Sequence, residues 1–263
     1  MEISGKSYHM QFDASWFFRQ LLLKLLALCY RLIDVVRLLP LRMFRLSRHI
    51  LGGLLSLRPR KMYWWESEFS KHRFLAISNW LLELLLYVID CLGFPELYET
   101  IQDFVKFNSR PLQDWEIKLA QSVFGNRINY KRVRIDEYAF LGPRQSRFCY
   151  VSFYIVNSWG SMHNSLLLHE LTHVWQFQHL GSVYISQALR AQHSLAGYNY
   201  GGVSNLLSYL KKGKNFFNFN LEQQGDIVAD YYRIREGYKP QWGNGNRSDL
   251  SIYETFIRQM RGE

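Results

Sequence analysis

Two histidines and a glutamate carry the most pointed chemistry in this sequence. His169, Glu170 and His173 stand as HExxH inside NSLLLHELTHVWQFQHLG at 164–181. Helical residues four apart project from one face, one turn above the other, so the two imidazoles can offer nitrogen ligands to one tetrahedral Zn2+ ion. Glu170 would lean over the open metal position and take a proton from a zinc-bound water. The flanks read as helix, with Asn164 or Ser165 expected to cap the start and Gly181 to close the end. So short a pattern also fits two ordinary polar side chains on a surface helix, and the surrounding chain has to decide.

A catalytic zinc site wants three protein ligands and one open position. His179 lies ten residues after His169, the spacing of HExxHxxGxxH, but Gln176 stands where that pattern needs the glycine that turns the chain back. If the helix continues, His179 is about 9 Å further along the axis than His173 and about 240° around it, out of reach of a shared ion. Glu222 is the better third ligand. It opens a helix expected over 221–236, with Asn220 as its cap, Gln223 completing a capping box and Gly237 at its end. Asp226 follows one turn on, placed to accept the free N–H of a ligand histidine and fix its tautomer. The plainer account makes both acids helix-start residues favoured by the dipole.

These motifs resemble the gluzincin class of thermolysin-like metallopeptidases. More closely, HELTHVWQ, YNYG, NLEQQGDIVADYYRI and the upstream RPLQDWEIKLAQSVFGNRINYKRVRI look like a zinc metallopeptidase-like family found near Vgr, Rhs and phage-tail-like contractile injection gene clusters in bacteria. The similarity covers about 110–238. It implies a zincin-like domain in which His169, His173 and Glu222 bind zinc, Glu170 is the general base and Asp226 supports a ligand. Gly225 stands where the family more usually has alanine. It is expected to cost up to about 1 kcal/mol of helix stability and to leave the ligands untouched.

The implied activity is zinc-dependent cleavage of a peptide or protein substrate, with Glu170 passing the water proton to the leaving amine. Tyr198 and Tyr200 are candidates to stabilise the oxyanion, with Tyr232 behind them. An aromatic strand within 148–156 is expected beside the cleft, where it could pair with an extended substrate. The alternative function is a non-catalytic, zinc-containing component or effector of a contractile injection or secretion assembly.

The elements that must position these residues are mainly α with a small β-sheet (α+β). A helix is expected over 111–124, starting at Pro111 and ended by Gly125, followed by two or three strands within 130–156. Further helices are expected over 183–195, 203–212 and 249–260. Ahead of them, 14–38 reads as an amphipathic helix ended by Pro40, and 41–58 as leucines and arginines broken by Gly52-Gly53. Arg58–Lys61 reads as a linker, so the arm is placed at 1–60 and the catalytic domain at 61–263. Trp64-Trp65 suits a core or interface anchor better than a ligand contact. Residues 74–93 form the most apolar run, but Asn79, Glu83 and Asp90 fall on one stripe, which favours a buried amphipathic helix over a membrane span.

Charge separates the arm from the rest. Residues 1–73 hold 13 Lys or Arg against 5 Asp or Glu, whereas the remaining 190 hold 19 against 17. The basic excess therefore says little about the catalytic part and does not indicate a specific nucleic-acid binder. The stretch 14–58 has three readings: a helical hairpin on the body, a helix on an anionic membrane surface, or a docking element for a partner protein. Cys29, Cys91 and Cys149 are scattered, which argues against a disulfide framework. No signal peptide stands out. The expected location is cytoplasmic or peripheral to a membrane, with export by a specialised secretion system as the other route.

Overall fold

The computed structural model describes residues 14–56, 67–106, 109–140, 142–146 and 148–263. The expected linker at Arg58–Lys61, the Trp64-Trp65 pair and the N-terminal thirteen residues lie outside these. Ten helices are described: α1 (Ala14–Ser56), α2 (Ser67–Cys91), α3 (Phe94–Val105), α4 (Asp114–Phe124), α5 (Pro143–Ser146), α6 (Asn164–Leu180), α7 (Val183–Gln192), α8 (Gly202–Lys211), α9 (Leu221–Arg235) and α10 (Leu250–Arg261). Four short strands accompany them: β1 (Arg110–Pro111), β2 (Arg134–Asp136), β3 (Tyr150–Ser152) and β4 (Ile155–Asn157). The chain is mainly α with a small mixed sheet.

The sheet runs β1-β2-β4-β3, with β2 and β4 parallel and both outer pairs antiparallel. Val133, Ile135 and Val156 are fully buried. The expected aromatic strand is split in two by a tight turn at Phe153, a non-glycine residue at φ 60. The Phe153 ring is buried against Tyr98 and Phe177, and that packing offsets the unfavourable backbone region. β3 is left as a sheet edge. Pro111 is not a helix start: it sits on edge strand β1, where its missing N–H is tolerated. α4 begins at Asp114 instead, behind a capping box between Gln113 and Glu116.

α6 is the central element. It packs on β3 and β4 on one side and on α9 on the other. Leu167, Leu168, Leu171 and Val174 of α6 are fully buried together with Ile227 and Val228 of α9, each contributing about 1.5–3 kcal/mol by leaving water. The α6 cap is His163 rather than Asn164 or Ser165, its ring nitrogen accepting the Ser165 N–H at 3.3 Å.

The core of buried apolar side chains starts at Leu112 among the described residues, with Tyr98 the earliest residue packed against it. α2 and α3 pack along α1 instead. α1, α2 and α3 together form a helical arm beside that core, and α2 also joins the arm to α7. Pro40 does not end α1, which runs through it for 43 residues. Its ring faces outward, and α1 is pinned on either side by the Asp34–Arg132 pair at 3.0 Å and the Arg42–Glu96 pair at 2.6 Å. Gly52-Gly53 does not break α1 either. A Cβ at Gly53 would lie 2.1 Å from the Trp80 indole nitrogen, so the glycine lets α2 approach.

The arm also inverts the expected polarity. Arg31 and Arg42 are buried, as are Asp90, Glu96, Glu99 and Asp103. Arg31 and Arg132 converge on Glu99 at 3.3 and 3.0 Å, and Arg31 also meets Asp103. Residues 74–91, expected to form a buried amphipathic helix, are half exposed, and Asp90 alone among them is fully buried. Its stripe of Glu83 and Asp90 faces Arg190 and Ser182 of the body, and its leucines face outward. Removing one member of such an ionic cluster leaves an uncompensated buried charge. Glu99→Ala is expected to destabilise the fold by about 3–5 kcal/mol, read as a lowered denaturation midpoint. A loss below about 1 kcal/mol would show that the cluster holds nothing together.

Candidate metal centre

α6 carries His169 and His173 on one face because it remains α-helical through both. α9 lies against that face and presents its first turn, which the Asn220–Gln223 capping box fixes as the sequence predicts. The result is a buried cluster of His169, His173 and Glu222, whose ligand atoms all lie within 4.8 Å of one another. Glu222 Oε2 is 3.4 Å from Nε2 of His169 and 3.4 Å from Nε2 of His173. Two ligands bonded at about 2.0–2.1 Å and set at the tetrahedral angle lie about 3.4 Å apart, so the spacing fits one zinc ion between them.

The outer nitrogens sharpen that fit. His169 Nδ1 is 2.9 Å from Asp226 Oδ1, and His173 Nδ1 is 2.8 Å from Gln176 Oε1. Both outer atoms are acceptors only, so each Nδ1 carries the hydrogen and each Nε2 turns toward Glu222. Glu222 Oε2 is buried and has no hydrogen-bond partner. Electron-pair donors converging this closely need a cation among them, either a proton or a metal. In the metal-free protein burial opposes a charged His169 ring, but the Asp226 and Glu222 carboxylates outweigh it and hold the ring's pKa up at about 10. Burial likewise opposes ionisation of Glu222, and the two histidines overcome it, taking the carboxyl down to about 2.

Glu170 is buried beside this cluster, and its Oε2 has no hydrogen-bond partner. Burial pushes its pKa up, against the pull of His169 and His173. A carboxyl raised in this way is a stronger base than an ordinary carboxylate, which suits proton transfer. Tyr198 is at the site, its ring 5.9 Å from that of His169. Burial, then the Glu222 and Glu170 charges, push its hydroxyl up to about 12, so it remains a donor. Tyr200 is not at the site. It is fully buried, with its hydroxyl bonded to Asp230 and Tyr253, each at 2.8 Å. Tyr232 accepts from Asn164 at 2.9 Å at the start of α6. His179 stays outside because α6 continues past Gln176; its ring bonds back to the Trp175 carbonyl at 2.7 Å.

Three supporting residues escaped the sequence reading. Gln176, noted there only as a missing glycine, holds His173 and donates to the Leu221 carbonyl at 2.9 Å and to Gln224 at 3.0 Å, tying the ligand to the start of α9. Its position three residues after His173 was the available signal. Trp242 donates its indole N–H to Asp226 Oδ2 from an irregular segment with no pattern to mark it. Gly225 corrects an expectation outright. A Cβ there would lie 2.7 Å from the His169 ring, so the glycine touches a ligand after all. A cavity of about 290 Å³ lies elsewhere, at the junction of arm and body beside Arg42, Arg45 and Arg132.

Gly225→Ala sets two effects against each other. Alanine favours the helix by about 1 kcal/mol, but its methyl must displace the His169 ring. The expected result is at least a tenfold loss of zinc affinity, measured by competition with a chromophoric chelator, with no gain in thermal stability. Unchanged affinity with higher stability would show that the ring has room to move.

Comparison with known proteins places this chain beside a secretion component. It is 33% identical over 136 residues to the type VI secretion system spike protein VgrG2b of Pseudomonas aeruginosa (strain PAO1). The match covers 47% of this chain but 13% of that protein, so the chain corresponds to a small part of its relative. No family model and no solved structure matches. The partial homology links the chain to Vgr-type secretion spike proteins.

Proposed function

We propose that this chain is a zinc-dependent peptide-bond hydrolase associated with a type VI-like secretion assembly. The observation that carries the reading is the placement of Glu170, a buried carboxylate with an unpartnered oxygen, beside a three-donor set that would leave one coordination position free. His169, His173 and Glu222 would hold the ion. Zinc at that position would supply Lewis acidity toward a water and a substrate carbonyl. Glu170 takes the proton of the attacking water at Oε2 and delivers it to the departing amine nitrogen. Asp226 and Gln176 keep both imidazoles in one tautomer and orientation throughout. Tyr198, protonated at working pH, donates to the oxygen on which charge develops. The β3 edge beside α6 offers backbone groups to an extended peptide.

A second reading rests on the homology. Similarity to a spike protein also fits a component of the secretion assembly in which zinc is only a structural clip. A three-ligand set with a spare carboxylate favours the hydrolase, because structural sites are usually closed by a fourth protein ligand.

Glu170→Gln separates the two. The hydrolase reading expects one bound zinc per chain by elemental analysis in both proteins, with peptide cleavage lowered about 10²–10⁴-fold in the variant. Cleavage that survives in Glu170→Gln removes the residue from the chemistry, and absence of zinc from native protein together with an inert His169→Ala removes the centre. Metal uptake also has a defined pH dependence. Zinc must displace the proton that His169 holds up to about pH 10. For one proton displaced, apparent affinity falls about tenfold per unit, hence about a hundredfold from pH 8 to pH 6. Calorimetry in two buffers of different ionisation enthalpy measures the released proton; uptake without release would contradict the protonation assigned to the metal-free centre.

A further inference from the structure

We propose that the arm formed by α1, α2 and α3 is embedded in the hydrocarbon of a lipid bilayer, with acyl chains covering its outward faces. This goes beyond the metal centre and does not depend on it.

The arm is built with its polarity turned outside in. Its ions pair with each other and with Arg132 in the interior, while the outward residues are apolar. On α2, every exposed residue from Phe74 to Leu92 is uncharged, and the same holds for α3, where Phe94, Leu97, Ile101 and Phe104 face out. On α1, Arg37 and Arg48 are the charged residues among the described exposed positions. Leu22 is 58% exposed, Val36 72%, Leu81 51% and Leu85 54%. In water so continuous an apolar exterior is unfavourable, and water-soluble proteins rarely show one. In a bilayer the same arrangement is favourable, since ionisable groups there face the bundle interior and find partners.

Shape and charge favour lipid over a protein as the covering material. Exposed positions on α1 include the neighbours Leu22-Leu23, Leu25-Leu26, Leu32-Ile33 and Met43-Phe44. At 100° per residue the exposed positions span about 200° of the helix. One protein surface meets one side of such an arc, whereas acyl chains conform to all of it. The apolar stretch Phe74–Cys91 has 18 residues with a mean hydropathy of 1.6. Its length of about 27 Å is close to the roughly 30 Å thickness of bilayer hydrocarbon. Lys24, Arg31, Arg42 and Arg45 are engaged within the protein, but the other 9 Lys or Arg of residues 1–73 still outnumber the 5 Asp or Glu there, which suits the anionic headgroups that border the hydrocarbon.

Flotation of the full-length chain with vesicles of phosphatidylcholine and phosphatidylglycerol tests this. The protein is expected to float and to stay bound in 1 M NaCl. Leu81→Glu with Leu85→Glu, both on the exposed face of α2, is expected to lower the bound fraction at least tenfold. Cys29, an exposed residue of α1, supplies a second readout when labelled with an environment-sensitive fluorophore in a Cys91→Ser, Cys149→Ser background. Its emission should shift to the blue on vesicle addition and be quenched by nitroxide on the acyl chains. Release by salt, without quenching, would reduce the contact to headgroup attraction and overturn embedding. Failure to float, with the protein forming a detergent-free oligomer that the double glutamate variant dissociates, would assign these faces to a second copy of the chain.

Discussion

The close approach of α6 and α9 is the constraint on which the rest of the body depends. HExxH supplies two nitrogens on one helix face, but a pair of histidines is not yet a centre. The third donor arrives only because α9 can lie against the His169 ring, and it can do so because residue 225 has no side chain. That contact sets the depth of α9. Once it is set, Glu222 falls 3.4 Å from both Nε2 atoms, and Asp226, one turn further, reaches the outer nitrogen of the same ring. One helix turn thus separates the donor that meets the ion position from the carboxylate that orients a histidine. Gln176 closes the arrangement from the other side by joining His173 to the first turn of α9.

The clustering of His169, His173 and Glu222 was largely legible in the sequence, because it is written in helix periodicity. Spacings of four residues on two capped helices determine which side chains share a face, whatever the helices then pack against. Glu222 and Asp226 could be paired with the histidines on that basis, and His179 set aside. Tyr198 and Tyr200 could not be told apart. Two residues separate them in a turn, and only the path of the chain sends one to the His169 ring and the other into the core beside Asp230. Gly225 was misjudged because a propensity scale describes an isolated helix and contains nothing about the ring lying on it.

The arm failed to be legible for a related reason. Lys24, Arg31, Asp34 and Arg42 lie along one side of α1, but the spacing of charges does not say which way a stripe faces. The usual assumption that charge faces water turns this arm around. What reverses it is an equal stripe of acids on α3 and an arginine from the body: Glu96, Glu99 and Asp103 with Arg132 complete the charges that α1 leaves unmatched. Pro40 and Gly52-Gly53 were misread by the same local logic. Both are helix breakers only where nothing else holds the helix, and α1 is held from Lys24 to Gly53 by α2 and α3.

These two halves of the molecule meet at the C-terminal end of the HExxH helix. Arg45 of α1 donates to the carbonyls of Gln178 and His179, at 3.2 and 2.6 Å, capping the last turn of α6 with a positive charge where the helix dipole favours one. Two residues past the end of α6, Asp90 of α2 accepts the Ser182 N–H at 2.9 Å and also holds the Ser182 hydroxyl, anchoring the start of α7. Gly181 lies between them, and a Cβ there would lie 2.2 Å from the Asp90 carboxylate. The arm therefore grips the connection between α6 and α7 through charge and close contact together. α6 is one continuous helix from that grip back to His173 and His169, so the arm is fastened to the same helix that carries both histidines.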